Sequence, residues 1–306
     1  MGIRIGVGFG RFPFESMKSF RRWLDVCEAG GIDSIWQSDR ILSREPYLEP
    51  LTLLAVVAGA TQRLKIGMNA VVMGFRDPVN FSRQCASLDV LSEGRLLPVV
   101  GVGRGDSPEW SNTGRSAKGR GSRANEALEI ITRLWREENV SFEGEHFQVR
   151  DATITPRPVQ DPLPLWIGGS SPAAIRRTVR FGSGWLAPLE SPEQAGQTVA
   201  AIKTEARAQD RKIPDDHYGA SILYRLEAGT SSPDFGKDQP AEVRERLAKV
   251  TVVGDAEAFI SRVAEYQSVG VDKFIAIPLA GSEREVLEQT RLLDKEVIPG
   301  LSSLTL

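Results

Sequence analysis

Eight short apolar runs, each followed by a stretch with helical periodicity, leave this chain few folds to choose from. The runs lie at residues 3–9, 34–38, 63–73, 94–103, 165–168, 184–187, 218–226 and 273–278, and are rich in Val, Ile, Leu and Gly. Helical stretches alternate with them at residues 16–29, 48–61, 77–92, 122–138, 172–181, 192–209, 256–269 and 283–297. Repeated strand–helix alternation argues for βα units and a parallel sheet. The α/β fold expected is a closed (β/α)8 barrel, a TIM barrel, with insertions after strands 4 and 7 and residues 1–306 forming one domain. An open doubly wound sheet is the alternative with the same alternation. The first insertion begins as a polar, Gly-rich loop over residues 104–121. A hairpin-like segment, "VSFEGEHFQVRDATITPRPVQ", follows the next helix, with Glu143-Gly144 at its turn. An irregular stretch at 229–240 and a short helix at 241–249 make up the second.

Charge and composition remove several classes of function. Lys and Arg total 38 against 40 Asp and Glu, a net charge of -2, so no basic surface is expected for nucleic acid or an anionic membrane. No apolar run approaches the roughly 20 residues that span a bilayer. The first residues lack the order of a secretory signal. The two cysteines, Cys27 and Cys85, fall in helical stretches among apolar neighbours and read as buried free thiols. A cytoplasmic protein is expected. His146 and His217 have no metal-like spacing, so no metal site is expected. There is no G-x-S-x-G elbow and no Walker A loop. Gly6, Gly8 and Gly10 alternate and do not form G-x-G-x-x-G; they read as backbone lying close to a bulky group, either packed side chains or a flat cofactor. The chemistry is therefore expected to come from an organic cofactor.

In a barrel of this kind the site lies at the C-terminal strand ends. Strand 2 ends in Asp39-Arg40, either a surface ion pair or a carboxylate and a guanidinium facing ligands. Strand 3 carries Asn69 in an otherwise apolar run, which implies a satisfied bulge or a bulge that pushes backbone into the mouth. Strand 4 ends in Gly103-Arg104-Gly105-Asp106, where an arginine could fork onto phosphate or carboxylate, or simply pair within the loop. Strand 5 ends in Gly168, Gly169, Ser170 and Ser171, just before a helix starting near Pro172. Free N–H groups at that helix start suit a phosphate, although the serines also read as plain caps.

Eight motifs in order, "AGGIDSIWQSDR", "EPLTLLAVVAGATQRLKIG", "RDPVNFSRQCASLDVLSEGRL", "VGVGRG", "ANEALEIITRLW", "VSFEGEHFQV", "PLWIGGSSPAAIRR" and "GSGW", resemble the bacterial luciferase-like superfamily of flavin- and coenzyme F420-dependent oxidoreductases. The resemblance covers residues 1–190 closely and the remainder more loosely. It implies a (β/α)8 barrel and an enzyme using FMN or coenzyme F420 on a small organic substrate. It implies a cis peptide at Asn69–Ala70 behind the cofactor ring, Asp39 near that ring, and Arg104 with Gly168, Gly169, Ser170 and Ser171 on the cofactor phosphate. Family members often carry His where this chain has Arg40, and a guanidinium cannot serve as a general base. Arg40 is then expected to stabilise an anion, and Asp106 to be the catalytic acid. Two chemistries follow from the resemblance: monooxygenation with reduced FMN supplied by a flavin reductase, or hydride transfer with F420. A non-catalytic flavin-binding protein on the same barrel is the alternative. A homodimer or higher homo-oligomer is implied, packed through the helices after strands 2 and 3. A basic set, Arg115, Lys118, Arg120 and Arg123, reads as a solvated loop or as a contact for the F420 tail.

Overall fold

A computed structural model of the protein describes residues 2–227 and 241–304. The chain opens with β1 (Arg4–Phe9), α1 (Met17–Ala29), β2 (Ser34–Gln37) and α2 (Pro50–Ala60). The third strand position is shared by β3 (Lys65–Met68) and β4 (Val71–Val72), followed by α3 (Pro78–Leu91). The fourth is shared by β5 (Leu96–Leu97) and β6 (Val99–Gly101), with α4 (Glu109–Asn112) and α5 (Arg120–Leu134) after it. A hairpin, β7 (Val140–Glu143) and β8 (Gln148–Ala152), precedes β9 (Trp166–Gly168), α6 (Pro172–Phe181), β10 (Gly184–Leu186) and α7 (Pro192–Ala208). The chain continues through β11 (Tyr218–Leu226), α8 (Ala241–Lys249), β12 (Thr251–Gly254), α9 (Ala256–Ser268), β13 (Lys273–Pro278) and α10 (Glu283–Leu292).

Local chemistry starts the helices where they are needed. Pro stands in the first turn of α2, α3, α6 and α7, where its missing N–H costs little. Side chains of Ser16, Glu49, Asp77, Ser171, Ser191, Asp255 and Ser282 cap seven helices by accepting first-turn N–H groups.

All inter-strand pairing in the barrel is parallel. β1 lies between β2 and β13, β2 joins β3, and β13 joins β11, which continues through β10 and β9 to β6. β3 pairs β5, whereas β4 pairs β6. The third position is divided by a cis peptide at Asn69–Ala70, and the fourth at Pro98, which has no N–H to donate. Because both halves of one pair with both halves of the other, the ring closes over eight strand positions, as expected from the alternation.

The barrel interior is filled by Trp36, Val99, Trp166, Leu186 and Ile275. Its glycines make room for these side chains. A Cβ on Gly67 would fall 2.3 Å from the Trp36 ring, and one on Gly184 would fall 2.5 Å from Trp166. Gly6 faces Ser34 and Trp36, Gly8 faces Ile275 and Trp36, and Gly10, just past β1, faces Tyr47, so these alternate glycines answer to packed side chains. A larger apolar layer lies between the strands and the surrounding helices and includes the buried free thiols Cys27 and Cys85.

Several features depart from the sequence reading, among them α4, a single helical turn within the stretch read as a loop over 104–121. The long helix begins at Arg120 and stops at Leu134, four residues early. β12 was not foreseen; it adds to the outer end of β11. The last helix leaves α geometry at Leu293 and finishes as a wider turn to Val297. The hairpin is present, and Glu126 of α5 pins it by accepting the N–H groups of Glu145, His146 and Phe147. The irregular stretch at 229–240 lies outside the described residues. Among the described residues, no helix is long and apolar enough to cross a membrane.

Candidate active site

A cavity of about 460 Å³ opens at the C-terminal strand ends. Its floor and walls come from Asn69, Ala70, Gly101, Gly168, Leu186, Leu189, Ser221 and Ile277. Val72, Gly103 and Arg104 also border a second, outer chamber that holds Asp39, Arg40, Phe75, Asp106 and Trp110. Nine of the ten sequence-derived site residues line one chamber or the other or belong to the loop beside them, and Ser171 caps α6 just beyond.

The bulge of the third strand is held from two sides. Asn69 donates its backbone N–H to Gln37 at 2.9 Å and its side-chain amide to the buried Ser221 hydroxyl at 3.1 Å. Beyond the cis peptide, the Val72 N–H donates to Asp39 at 3.0 Å. The other Asp39 oxygen takes the Arg76 guanidinium at 3.0 Å, and Arg76 also reaches Glu49, the cap of α2. Asp39 is 4% exposed in its side chain, so burial pushes its carboxyl above the ordinary range although Arg76 and the Val72 N–H pull the other way. Its two oxygens are spent on the bulge, which makes Asp39 a positioning residue for the cavity floor. The ion pair weighed for Asp39 and Arg40 is replaced by the one with Arg76. Arg40 is exposed and lies over the Tyr47 ring, 5.4 Å from its centroid.

Arg104 and Asp106 stand at the rim. The guanidinium donates twice to Asp106, at 3.0 and 2.6 Å, with both side chains largely in solvent. The hydrogen bond from Arg104 holds the Asp106 carboxyl below its ordinary range. This opposes the expected role of Asp106 as an acid, since its proton is disfavoured by the neighbouring cation. The backbone here is pinned by Trp110, whose indole N–H donates to the Arg104 carbonyl at 2.7 Å. Gly103 needs its positive φ of 70°, and a Cβ there would fall 2.7 Å from Val72.

The loop after β9 leads into α6. Gly169 has a φ of 107°, and its carbonyl accepts the Trp185 indole N–H at 2.8 Å. The Ser171 hydroxyl caps the helix by accepting from the Ala174 N–H, so the plain-cap reading holds for this serine. The Ser170 hydroxyl is different: it is buried and meets no partner in hydrogen-bonding geometry. Glu190, just past the end of β10, also buries an unpartnered oxygen. Burial pushes the Glu190 carboxyl up, and the nearby Ser170 hydroxyl opposes that shift.

These features fit a flat, phosphate-bearing cofactor. Gly101 and Gly168 leave bare backbone on either side of Ala70, and a Cβ at either would meet nothing closer than 3.7 Å. The start of α6, with the Ser170 hydroxyl buried beside Glu190, is the place nearest the cavity where N–H donors could meet an anion. Sequence reading missed Arg76, Ser221, Trp110 and Glu190. Each acts across strand positions, and no spacing in the chain marks such a pairing. Both histidines lie away from the mouth: His146 pairs Ser122 under the hairpin, and His217 meets the Ser183 carbonyl before β11.

Known proteins share this fold. Residues 5–226 match the luciferase-like monooxygenase family. An F420-dependent glucose-6-phosphate dehydrogenase of Amycolatopsis mediterranei is 26% identical, with 90% of this chain and 92% of that protein covered. Among solved structures, a monooxygenase from Streptomyces bottropensis superposes with a TM-score of 0.82 at 21% identity, covering 97% of this chain and 99% of that one. An F420-dependent secondary alcohol dehydrogenase in complex with an F420-acetone adduct also gives a TM-score of 0.82, at 19% identity, covering 98% of this chain and 99% of that one. The match spans most of the barrel, including the bulged third strand and the loop after β9, and the chain belongs to the luciferase-like monooxygenase family.

Proposed function

We propose that the protein is an oxidoreductase that transfers a hydride between coenzyme F420 and a small organic substrate. The observation that carries this reading is the cavity floor, where the Asn69–Ala70 bulge and bare Gly101 and Gly168 leave room for a flat ring, with the start of α6 close by for a phosphate. Among the two cofactors that suit the seat, F420 is favoured by the relative from Amycolatopsis, which aligns along nearly its whole length. When bound, the deazaflavin supplies a two-electron carrier that needs no oxygen. The protein's own residues do the rest. Asp39, through the Val72 N–H, keeps the bulge in place beneath the ring. Arg104 would hold the cofactor phosphate in place of Asp106, and the Gly168–Gly169–Ser170–Ser171 loop would supply N–H and hydroxyl donors. Arg40, which keeps its proton, stabilises negative charge in the outer chamber.

A second reading, monooxygenation with reduced FMN from a partner reductase, is favoured by the description of the family itself. A cytoplasmic homodimer accompanies either reading. Its contact would be the outer face of α2, where Ala55, Val56, Gly59 and Ala60 are exposed small or apolar residues, beside Leu91 of α3, which is 64% exposed. Fluorescence titration of the purified protein with F420 and with FMN, oxidised and reduced, tests the assignment. F420 should bind more tightly, and Arg104→Ala should weaken it about tenfold or more. Preference for reduced FMN would move the assignment to oxygen chemistry. Failure of both to bind below about 100 μM, roughly -5.5 kcal/mol, would remove it.

A further inference from the structure

We infer that this site takes an uncharged, largely apolar substrate and does not take a sugar phosphate. The inference rests on the cavity being the cofactor and substrate mouth, as proposed above. A phosphate ester needs cations, or several N–H groups, that are free to meet it. Among the described residues, Arg104 is the one cation lining the cavity, and its fork closes on Asp106. Once Arg104 turns to the cofactor phosphate, no cation of that lining is left for a second anion.

Two neighbouring guanidinium groups are committed elsewhere. Arg76 is held by Asp39 and Glu49, and Arg225 by Glu227 and Glu285. Arg40 lies in the outer chamber over Tyr47, beyond the divide formed by Val72 and Gly103. The inner wall opposite Arg104 is Leu186, Pro188, Leu189 and Ile277. An anion brought to this wall would lose its water with no cation on the wall to offset the loss, an arrangement that binds poorly. An apolar body there would gain about fourfold in affinity for each methylene it buries.

The test uses the protein loaded with whichever cofactor it binds, read by the fluorescence of that cofactor. A series of secondary alcohols, from 2-propanol through 2-hexanol, and glucose 6-phosphate are titrated at low and at high salt. The dissociation constants of the alcohols should fall about fourfold per methylene and stay level with salt, while glucose 6-phosphate leaves the signal unchanged. Salt-sensitive binding of glucose 6-phosphate would overturn the inference, and so would alcohol affinities that do not vary with chain length. Cofactor binding is recorded before any substrate is added. Its absence would bring down the underlying reading, and is thereby distinguished from a failure of the substrate class alone.

Discussion

Arg76 ties the loop after β4 to two elements at once, through Asp39 at the end of β2 and Glu49 at the start of α2. Removing it leaves Asp39 as a buried carboxylate with only the Val72 N–H to offset its lost water. Breaking a buried pair from one side costs about 3 kcal/mol or more. Arg76→Met should therefore lower stability by about 3 kcal/mol at pH 7, and should weaken cofactor binding as the bulge loosens. The pH dependence has a definite sign. A carboxyl whose folded pKa lies above its unfolded value, about 3.9, makes the folded state bind more protons than the coil. Stability then falls as pH rises from about 3.9 to the raised value. The variant raises Asp39 further, so its deficit relative to wild type should shrink toward acid. Urea unfolding at pH 7 and pH 5 measures this; an equal deficit at both would remove the charge argument. None of this was legible in the chain, because Asp39 and Arg76 lie on separate βα units. Asp39 itself was legible, as an acid at a strand end.

At the scale of elements, the strands and helices could be read because each carries its own signal. Apolar runs mark β1, β11 and β13, and Ser or Asp caps followed by Pro mark α3, α6 and α7. β12 escaped because Thr251–Gly254 is only four residues between two helices, and what makes it a strand is the edge of β11. The breaks at Asn69–Ala70 and Pro98 divide single apolar runs into halves with separate partners, which periodicity cannot show. α6 is the element that joins fold to site. The Ser171 cap should be worth about 1 kcal/mol to the protein, so Ser171→Ala should lower unfolding stability by that amount. The Ser170 hydroxyl caps no helix and lies against the buried Glu190 carboxyl, so Ser170→Ala should cost at most about 1 kcal/mol of stability and weaken the cofactor several-fold. Paired denaturation and cofactor titration of the two variants separates cap from ligand. If both variants lose stability and neither loses cofactor, the loop after β9 is not the phosphate seat.

Across the whole molecule, the two ends of the barrel are built for different tasks. The C-terminal end is open, with bare backbone at Gly101, Gly168 and Gly169 lining a cavity. The N-terminal end is closed by charge: the Lys273 ammonium, 1% exposed, meets Asp33, which Lys65 also approaches at 3.4 Å. Burial pushes the Lys273 ammonium well below its ordinary range, and the Arg4 guanidinium adds to the shift. A depressed base means that the unfolded chain binds more protons than the fold, between the lowered value and about 10.4. Stability must then rise with pH across that window. Replacing the lysine by an apolar chain of similar length removes that slope. Wild type should therefore gain on Lys273→Met as pH rises from 7 toward 10.5, whatever their difference at pH 7. Thermal unfolding of both proteins across this range measures it. A constant difference would mean that the Asp33 pairing keeps Lys273 charged as fully in the fold as in water. A depression of this kind at the end of the barrel away from the cavity would act on stability alone, so cofactor affinity should be the same in both proteins at every pH where both are folded.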